Sequence, residues 1–332
     1  MKKIAILLVL ALCLSSFVGC VEEQAKTSSF FMMDTVITVT LYGTDEGTSQ
    51  EIFAQCRAIL TELENLWSRT KEESDISRFN AAREGTVTLD ERTVSLLHLA
   101  RAVQVHTNGA FDVSLAPVCD LWQRCGAENR LPTDAELAEL LSLAGEEGWS
   151  LLEGGVEKHN ADTALDLGGI GKGAAADALI AYLKTTEASG GMVSFGSNVA
   201  VFGEKPDGEA FRIAVKDPKN TSQHLTVLSI SANDALSVSG DYERFVEIGG
   251  EKYHHVIDPK TGYPSRSGLS SVAIVCEGGA LADALSTACL VLGYDGAMEL
   301  YARDVYDFEA LFVFSDGTVK ATDGLLLQSS AA

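Results

Sequence analysis

Three short segments hold the residue types that could manage a phosphate ester and a cation. The first is Leu165-Asp-Leu-Gly-Gly-Ile-Gly-Lys-Gly173, where the acid Asp166 runs into four glycines within six positions and Lys172 stands among them. Ala176, Leu179, Ile180 and Leu183 follow at helical spacing, so the glycines fall where a helix begins. Glycines there permit positive φ and close approach of a ligand, while exposed amides and Lys172 would attract an anion. Tight packing of backbone on backbone explains the same glycines equally well. The spacing matches neither a Walker loop nor a dinucleotide fingerprint.

The second segment is Ala282-Asp-Ala-Leu-Ser-Thr-Ala288. Asp283 and Thr287 stand at i and i+4, so a helix puts a carboxylate and a hydroxyl on one face. Two such oxygens suit a hard cation such as Mg²⁺, with phosphate and water completing its shell. An N-terminal Asp and a Thr bonding back to its own helix would produce the same pattern. The third is Tyr253-His-His-Val-Ile-Asp-Pro-Lys-Thr-Gly-Tyr-Pro264. Adjacent strand residues face opposite ways, so only one of His254 and His255 can serve a given site. That histidine is a base, a phosphate contact or a structural residue. Ser194-Phe-Gly-Ser-Asn198 and Ser237-Val-Ser-Gly-Asp-Tyr-Glu-Arg244 are weaker polar turns, and there is no nucleophile elbow or triad spacing.

The elements that must position these residues follow from periodicity. A strand is expected over Phe30 to Tyr42, then a long amphipathic helix with Ile52, Cys56, Ile59, Leu63 and Leu66 on one face. Ser68 to Asn80 reads as loop, Arg92 to Val105 as helix, and Gly109 to Pro117 as a short apolar segment with one acid, Asp112. Pro132-Thr-Asp starts a helix, Leu151 to Leu165 reads as a hairpin, and Met192 to Phe202 as a glycine-broken strand. Further strands are expected at 211–216, 225–231, 235–239, 243–248, 252–257 and 270–276. Helices over Ala280 to Leu292 and Asp295 to Arg303 precede a terminal hairpin, Ala310 to Thr322. The fold class is α+β, mixed sheets with packed helices in one unit or two lobes.

The 332 residues suffice for a large core, and a net charge of −22 argues against a nucleic-acid partner. Lys2 and Lys3 followed by the apolar run Ile4 to Leu14 form an export signal too short for an ordinary membrane span. Phe17-Val-Gly-Cys20 resembles a lipobox, with Phe17 where Leu is usual. Residues 1–19 are thus expected to be a lipoprotein signal, Cys20 the lipidation site and 20–29 a tether. The chain would then be exported and lipid-anchored at the outer face of a bacterial cytoplasmic membrane, or periplasmic. Cys56, Cys119, Cys125, Cys276 and Cys289 show no metal-ligand spacing, and no disulfide framework is expected.

Seven motifs in this order resemble the ApbE family of flavin transferases. They are Met33-Asp-Thr35, Ser77-Arg-Phe-Asn80, Gly109-Ala-Phe-Asp112, Asp166-Leu-Gly-Gly-Ile-Gly-Lys-Gly173, Ser239-Gly-Asp-Tyr-Glu-Arg244, His255-Val-Ile-Asp-Pro-Lys-Thr-Gly262 and Ala282-Asp-Ala-Leu-Ser-Thr287. The resemblance spans residues 30–325 and implies a T-fold-related domain. It implies transfer of FMN from FAD to a threonine hydroxyl of an acceptor protein, with AMP released; membrane redox-complex subunits are the acceptors it suggests. It also implies that Met33 packs on the flavin, and that Thr70 stands where some members carry an aromatic ring. Ala110, Phe111 and Asp112 would line the adenosine or ribityl region. Asp166 and Lys172 would contact FAD, bordered by His255 and Ile257. Gly169, through its carbonyl, would bind Mg²⁺ with Asp283 and Thr287. Catalysis would rest on Lys172, Asp283 and a proton-transferring His255. Asp34 replaces the usual Gly of the first motif. The alternatives are an Mg²⁺-dependent FAD pyrophosphatase and a non-catalytic exported FAD-binding lipoprotein. Asp316-Gly-Thr-Val-Lys-Ala-Thr322 faintly echoes an acceptor motif but reads as a tight hairpin.

Overall fold

The structure, a computed structural model, describes residues 25–325 and 327–328. The expected signal peptide and Cys20 lie outside the described residues. Strands β1 (Lys26–Met32) and β2 (Thr35–Tyr42) form an antiparallel hairpin. This corrects two expectations. Residues 26–29 belong to the sheet and not to a tether, and Phe30 to Tyr42 is two strands joined at Met33-Asp34. Both turn residues have positive φ, 51° and 57°, as a two-residue hairpin turn matching the strand twist requires. Asp tolerates this conformation far better than most side chains, which explains why Asp34 can stand in a glycine-like position.

Helix α1 (Glu46–Trp67) is capped by Asp45 and buries Ile52, Phe53, Cys56, Leu60 and Leu63. Helix α2 (Asp75–Ala81) falls inside the stretch expected to be loop; seven residues are too few for a periodic signal, yet Ser74 caps it by accepting from the Ser77 amide. After β3 (Gly85–Thr88) and α3 (Glu91–His106) comes α4 (Ala116–Ala127), a helix hidden in the sequence although Pro117 opens its first turn. Helices α5 (Asp134–Leu141) and α6 (Gly145–Gly148) lead to β4 (Trp149–Leu152) and β5 (Gly155–Lys158). That hairpin ends before Leu165, shorter than expected.

Helix α7 (Gly171–Leu183) precedes β6 (Gly190–Ser194), β7 (Asn198–Gly203), β8 (Phe211–Asp217), β9 (Asn220–Ile230) and β10 (Asp234–Gly240). The hairpin of β11 (Phe245–Ile248) and β12 (Glu251–His254) leads to β13 (Leu269–Glu277). Helix α8 (Gly279–Ala302) is broken at Gly293, where φ is 72°, so the two expected helices run on from each other. Strands β14 (Glu309–Phe314), β15 (Val319–Ala321) and β16 (Leu327–Gln328) close the chain.

Eight strands form one antiparallel sheet in the order β1-β2-β6-β7-β10-β13-β14-β15. Alternation along β13 and β14 sorts its two faces. Val272, Ile274, Ala310 and Phe312 enter the main core with α1, α3, α7 and α8, while Ala273 and Leu311 pack under β8 and β9. Burial on both faces explains why these central strands read as nearly continuous apolar runs. The described cysteines are free thiols, with Cys56 and Cys289 buried in the main core.

Candidate active site: a cleft between α7, α8 and the β11–β12 hairpin

A cavity of about 860 Å³ is lined by residues from all seven motif regions except Ser77-Arg-Phe-Asn80. Its floor is made by the crossing of α7 and α8. A methyl group on Gly173 would lie 2.0 Å from the Gly279 carbonyl oxygen, so only glycine lets the helices approach this closely. Asp177 on α7 accepts from the Gly279 and Ala280 amides at 2.5 and 2.9 Å, supplying the cap that Gly278 cannot. None of Gly168, Gly169, Gly171 and Gly173 has positive φ. The expectation of left-handed glycines is therefore corrected: Gly173 serves helix packing. Gly169 does face the cleft, where an added methyl would lie 3.1 Å from the Phe111 ring and 3.6 Å from Thr287 Oγ1.

The crossing brings the first two candidate segments together. Asp283 is 3% exposed, and a buried carboxylate must be compensated. Its Oδ2 accepts from the Gly173 amide at 3.1 Å and stands 3.7 Å from Lys172 Nζ; its Oδ1 accepts from Ser237 Oγ at 3.3 Å. Lys172 also donates to the Gly168 carbonyl at 3.0 Å. Thr287 Oγ1 lies 3.2 Å from Ser239 Oγ, which ties it to β10. Among the described residues no group of three or more His, Cys, Asp or Glu side chains could hold a metal alone. One carboxylate with neighbouring hydroxyls and carbonyls is instead a partial, all-oxygen set. It suits a hard cation that shares its shell with phosphate oxygens.

A second wall rests on Arg69, a residue that sequence reasoning missed. Its guanidinium bridges Asp166 Oδ2 at 3.0 Å and Asp120 Oδ2 at 2.7 Å. The remaining Asp166 oxygen accepts from the Gly168 amide at 2.7 Å. The pairing of basic Arg69 with an acid 97 positions away left no local signal. Thr70 is exposed on the cleft rim with no ring to offer. Met33 reaches the cleft from the hairpin turn, its amide donating to Glu64 Oε1 at 2.7 Å. A non-glycine residue in this backbone region costs on the order of 1–3 kcal/mol, and such strain collects at functional positions. Ala110 and Phe111 are buried lining residues. The Asp112 carboxyl accepts from Ser114 Oγ at 2.5 Å and from its amide at 2.8 Å, while burial raises it above the usual carboxylate range.

Both histidines border the cavity, because β12 ends at His254 and strand alternation does not carry through His255. The expectation that only one serves the site is thus corrected, and their partners are what tell them apart. His254 Nε2 bonds the Ser265 carbonyl at 2.8 Å, a structural role. His255 Nδ1 lies 3.2 Å from the Arg244 carbonyl, which makes Nδ1 the protonated nitrogen and leaves the Nε2 lone pair free. The ring keeps an open surface, yet the walls around it desolvate the charged form and push its pKa down to about 4. It is therefore neutral near pH 7. Ile257 lines the same cavity and is anchored in the small apolar cluster around Trp122. Glu243, also unassigned from sequence, lines the cleft with its carboxyl raised by burial and opposed by Lys172, Lys216 and Arg244.

Comparison with known proteins bears on the family and the fold. The model of the ApbE family matches residues 33–312. An FAD:protein FMN transferase of Haemophilus influenzae is 30% identical over 301 residues, covering 87% of this chain and 84% of the relative. One from Treponema pallidum is 29% identical over 337 residues, covering 95% and 92%. Among solved structures, the apo flavinyl transferase ApbE of Pseudomonas stutzeri superposes with a TM-score of 0.80 at 26% identity, covering 92% of this chain and 97% of that one. The ApbE protein of Thermotoga maritima gives a TM-score of 0.80 at 29% identity, covering 90% and 97%.

Proposed function

The chain belongs to the ApbE family, and we propose on that footing that it is an FAD:protein FMN transferase acting in the cleft. The supporting observation is the convergence of Lys172 and Asp283, 111 positions apart, at one end of a cavity large enough for a dinucleotide. In the reaction, a threonine Oγ of the acceptor attacks the FMN phosphorus and forms a P–O ester. The P–O bond to AMP breaks, AMP departs with the bridging oxygen, and the threonine proton goes to His255 Nε2. Lys172 offsets charge gathering on the pyrophosphate oxygens in a site of low dielectric. Arg69 and Asp166 hold the wall against which the flavin half lies, with Met33 at its edge.

Asp283, Thr287 and the Gly169 carbonyl would hold Mg²⁺. When bound, the ion neutralises phosphate charge and orients the ester for displacement. The buried Asp283 carboxylate, held by the Gly173 amide, fits such a role without rearrangement. The acceptor's identity as a membrane redox subunit and lipid anchoring through Cys20 outside the cytoplasm are part of this reading. They rest on the N-terminal sequence and the family resemblance.

The test is incubation of the soluble domain with FAD, Mg²⁺ and a threonine-bearing acceptor, followed by mass spectrometry. An FMN-sized adduct on the acceptor is the expected result. Free FMN and AMP without an adduct would mean hydrolysis, and bound but intact FAD would overturn catalysis altogether.

A further inference from the structure

Ser77-Arg-Phe-Asn80 contributes no side chain to the cleft lining. Ser77 and Asn80 instead bond main chain on either side of the cleft wall. Asn80 Oδ1 accepts from the Leu165 amide at 2.7 Å, and its Nδ2 donates to the Leu165 carbonyl at 3.0 Å. A side-chain amide thus takes the place of a strand partner for a fully buried residue. The next residue is Asp166, whose own amide donates to the Val113 carbonyl at 2.7 Å. Ser77, three positions earlier and on the same helix face, donates through Oγ to the Ser68 carbonyl at 3.2 Å. Ser74 Oγ donates to that same carbonyl. Ser68 immediately precedes Arg69. One face of α2 therefore grips the chain beside both members of the Arg69–Asp166 ion pair.

Helix α2 is itself immobilised. Buried Lys158 donates to the carbonyls of Phe79, Asn80 and Ala82 at 3.0, 3.0 and 2.9 Å, closing the helix C-terminus. At the other end, Asp75 is 3% exposed and accepts from the Asp90 amide at 2.8 Å and Thr93 Oγ1 at 2.7 Å. Both ends are tied to the core, so a shift of Ser77 or Asn80 relative to the cleft is resisted.

We propose that Ser77 and Asn80 are positioning residues that set the separation of Arg69 and Asp166, and through that wall the fit of FAD. The proposal rests on the functional reading above. The test measures FAD affinity by flavin fluorescence, with KM and kcat, in wild type, Asn80→Ala, Ser77→Ala, Asp166→Asn and the Asn80→Ala/Asp166→Asn pair. Loss of the paired bonds in Asn80→Ala should weaken FAD binding by about tenfold, and loss of one hydroxyl in Ser77→Ala by about threefold. The effect should appear in KM for FAD more than in kcat. The double variant should bind no more weakly than its weaker single parent, because Asn80 acts through Asp166. Wild-type affinity in both single variants would overturn the proposal, as would multiplying effects in the pair, which mark a general structural role. If Asn80→Ala does not fold, Ser77→Ala alone and combined with Asp166→Asn decides by the same criteria. A wild-type chain that takes up no FAD would instead overturn the functional reading, a result separate from any variant's behaviour.

Discussion

Lys172 Nζ and the Asp283 carboxylate face each other at 3.7 Å across the crossing of α7 and α8, while each keeps a main-chain partner of its own. The lysine is one position before Gly173, whose missing side chain permits the crossing and whose amide holds Asp283. Helix packing and charge placement are therefore one arrangement: the contact that brings the helices together also brings the cation to the acid.

Removing the acid should separate binding from turnover. Asp283→Ala is expected to lower kcat by about 10²-fold or more, since electrostatic groups at a displacement centre supply that much. Chelation of divalent ions should depress wild type similarly and leave the variant nearly unaffected. The assay is FMN transfer followed by mass spectrometry; full activity in the variant would remove Asp283 from the mechanism.

The pH profile should expose His255. Its folded pKa of about 4 lies below the roughly 6.5 of a free imidazole, so neutrality is favoured in the native state. The acid limb of kcat/KM should accordingly have its midpoint at about 4, and His255→Ala should abolish that limb while lowering the rate about 10²–10⁴-fold. Stability follows the same sign. The unfolded chain binds the proton first, so the contribution of neutral His255 is complete above about 6.5 and is lost as pH falls toward about 4. A limb at the ordinary imidazole value would contradict the burial argument.

Gly173→Ala tests the helix crossing. The added methyl would meet the Gly279 carbonyl at 2.0 Å, and backbone cannot yield as a side-chain tip can. A loss of about 1–3 kcal/mol in denaturant unfolding is expected, with transfer activity falling because Lys172 and Asp283 are pushed apart. Unchanged stability would show that the helices are not held this closely.

Asp177→Ala removes the acceptor for two amides at the start of α8. Capping losses of this kind cost about 1–2 kcal/mol, which thermal unfolding should register as a drop of a few degrees. The KM for FAD should change less than in Asp166→Asn, because Asp177 is outside the cleft lining.

Thr70→Tyr restores a ring at the cleft rim. Stacking on the flavin should tighten FAD by about 2–5-fold, seen as stronger quenching of flavin fluorescence. Weaker binding would mean that the rim has no room for the ring beside Arg69.

The sequence by itself determined the family motifs and their order along the chain. Helical spacing put Asp283 and Thr287 on one face, an inference that depends only on local geometry, which the backbone imposes residue by residue. Local signals also delimited α1, α3 and the helical run from Gly279 to Ala302. Tertiary structure decided which distant groups meet. Nothing near Arg69 announces Asp166, 97 positions on, and nothing near Asn80 announces Leu165, 85 positions on. The same dependence on distance settled the glycines of the opening motif. Read locally they were free to turn or to admit a ligand, but the Gly279 carbonyl against Gly173 assigns that one to helix packing, while Phe111 and Thr287 beside Gly169 assign the other to the cleft. A glycine's role is set by what occupies the space its side chain would fill, and that neighbour comes from elsewhere in the chain.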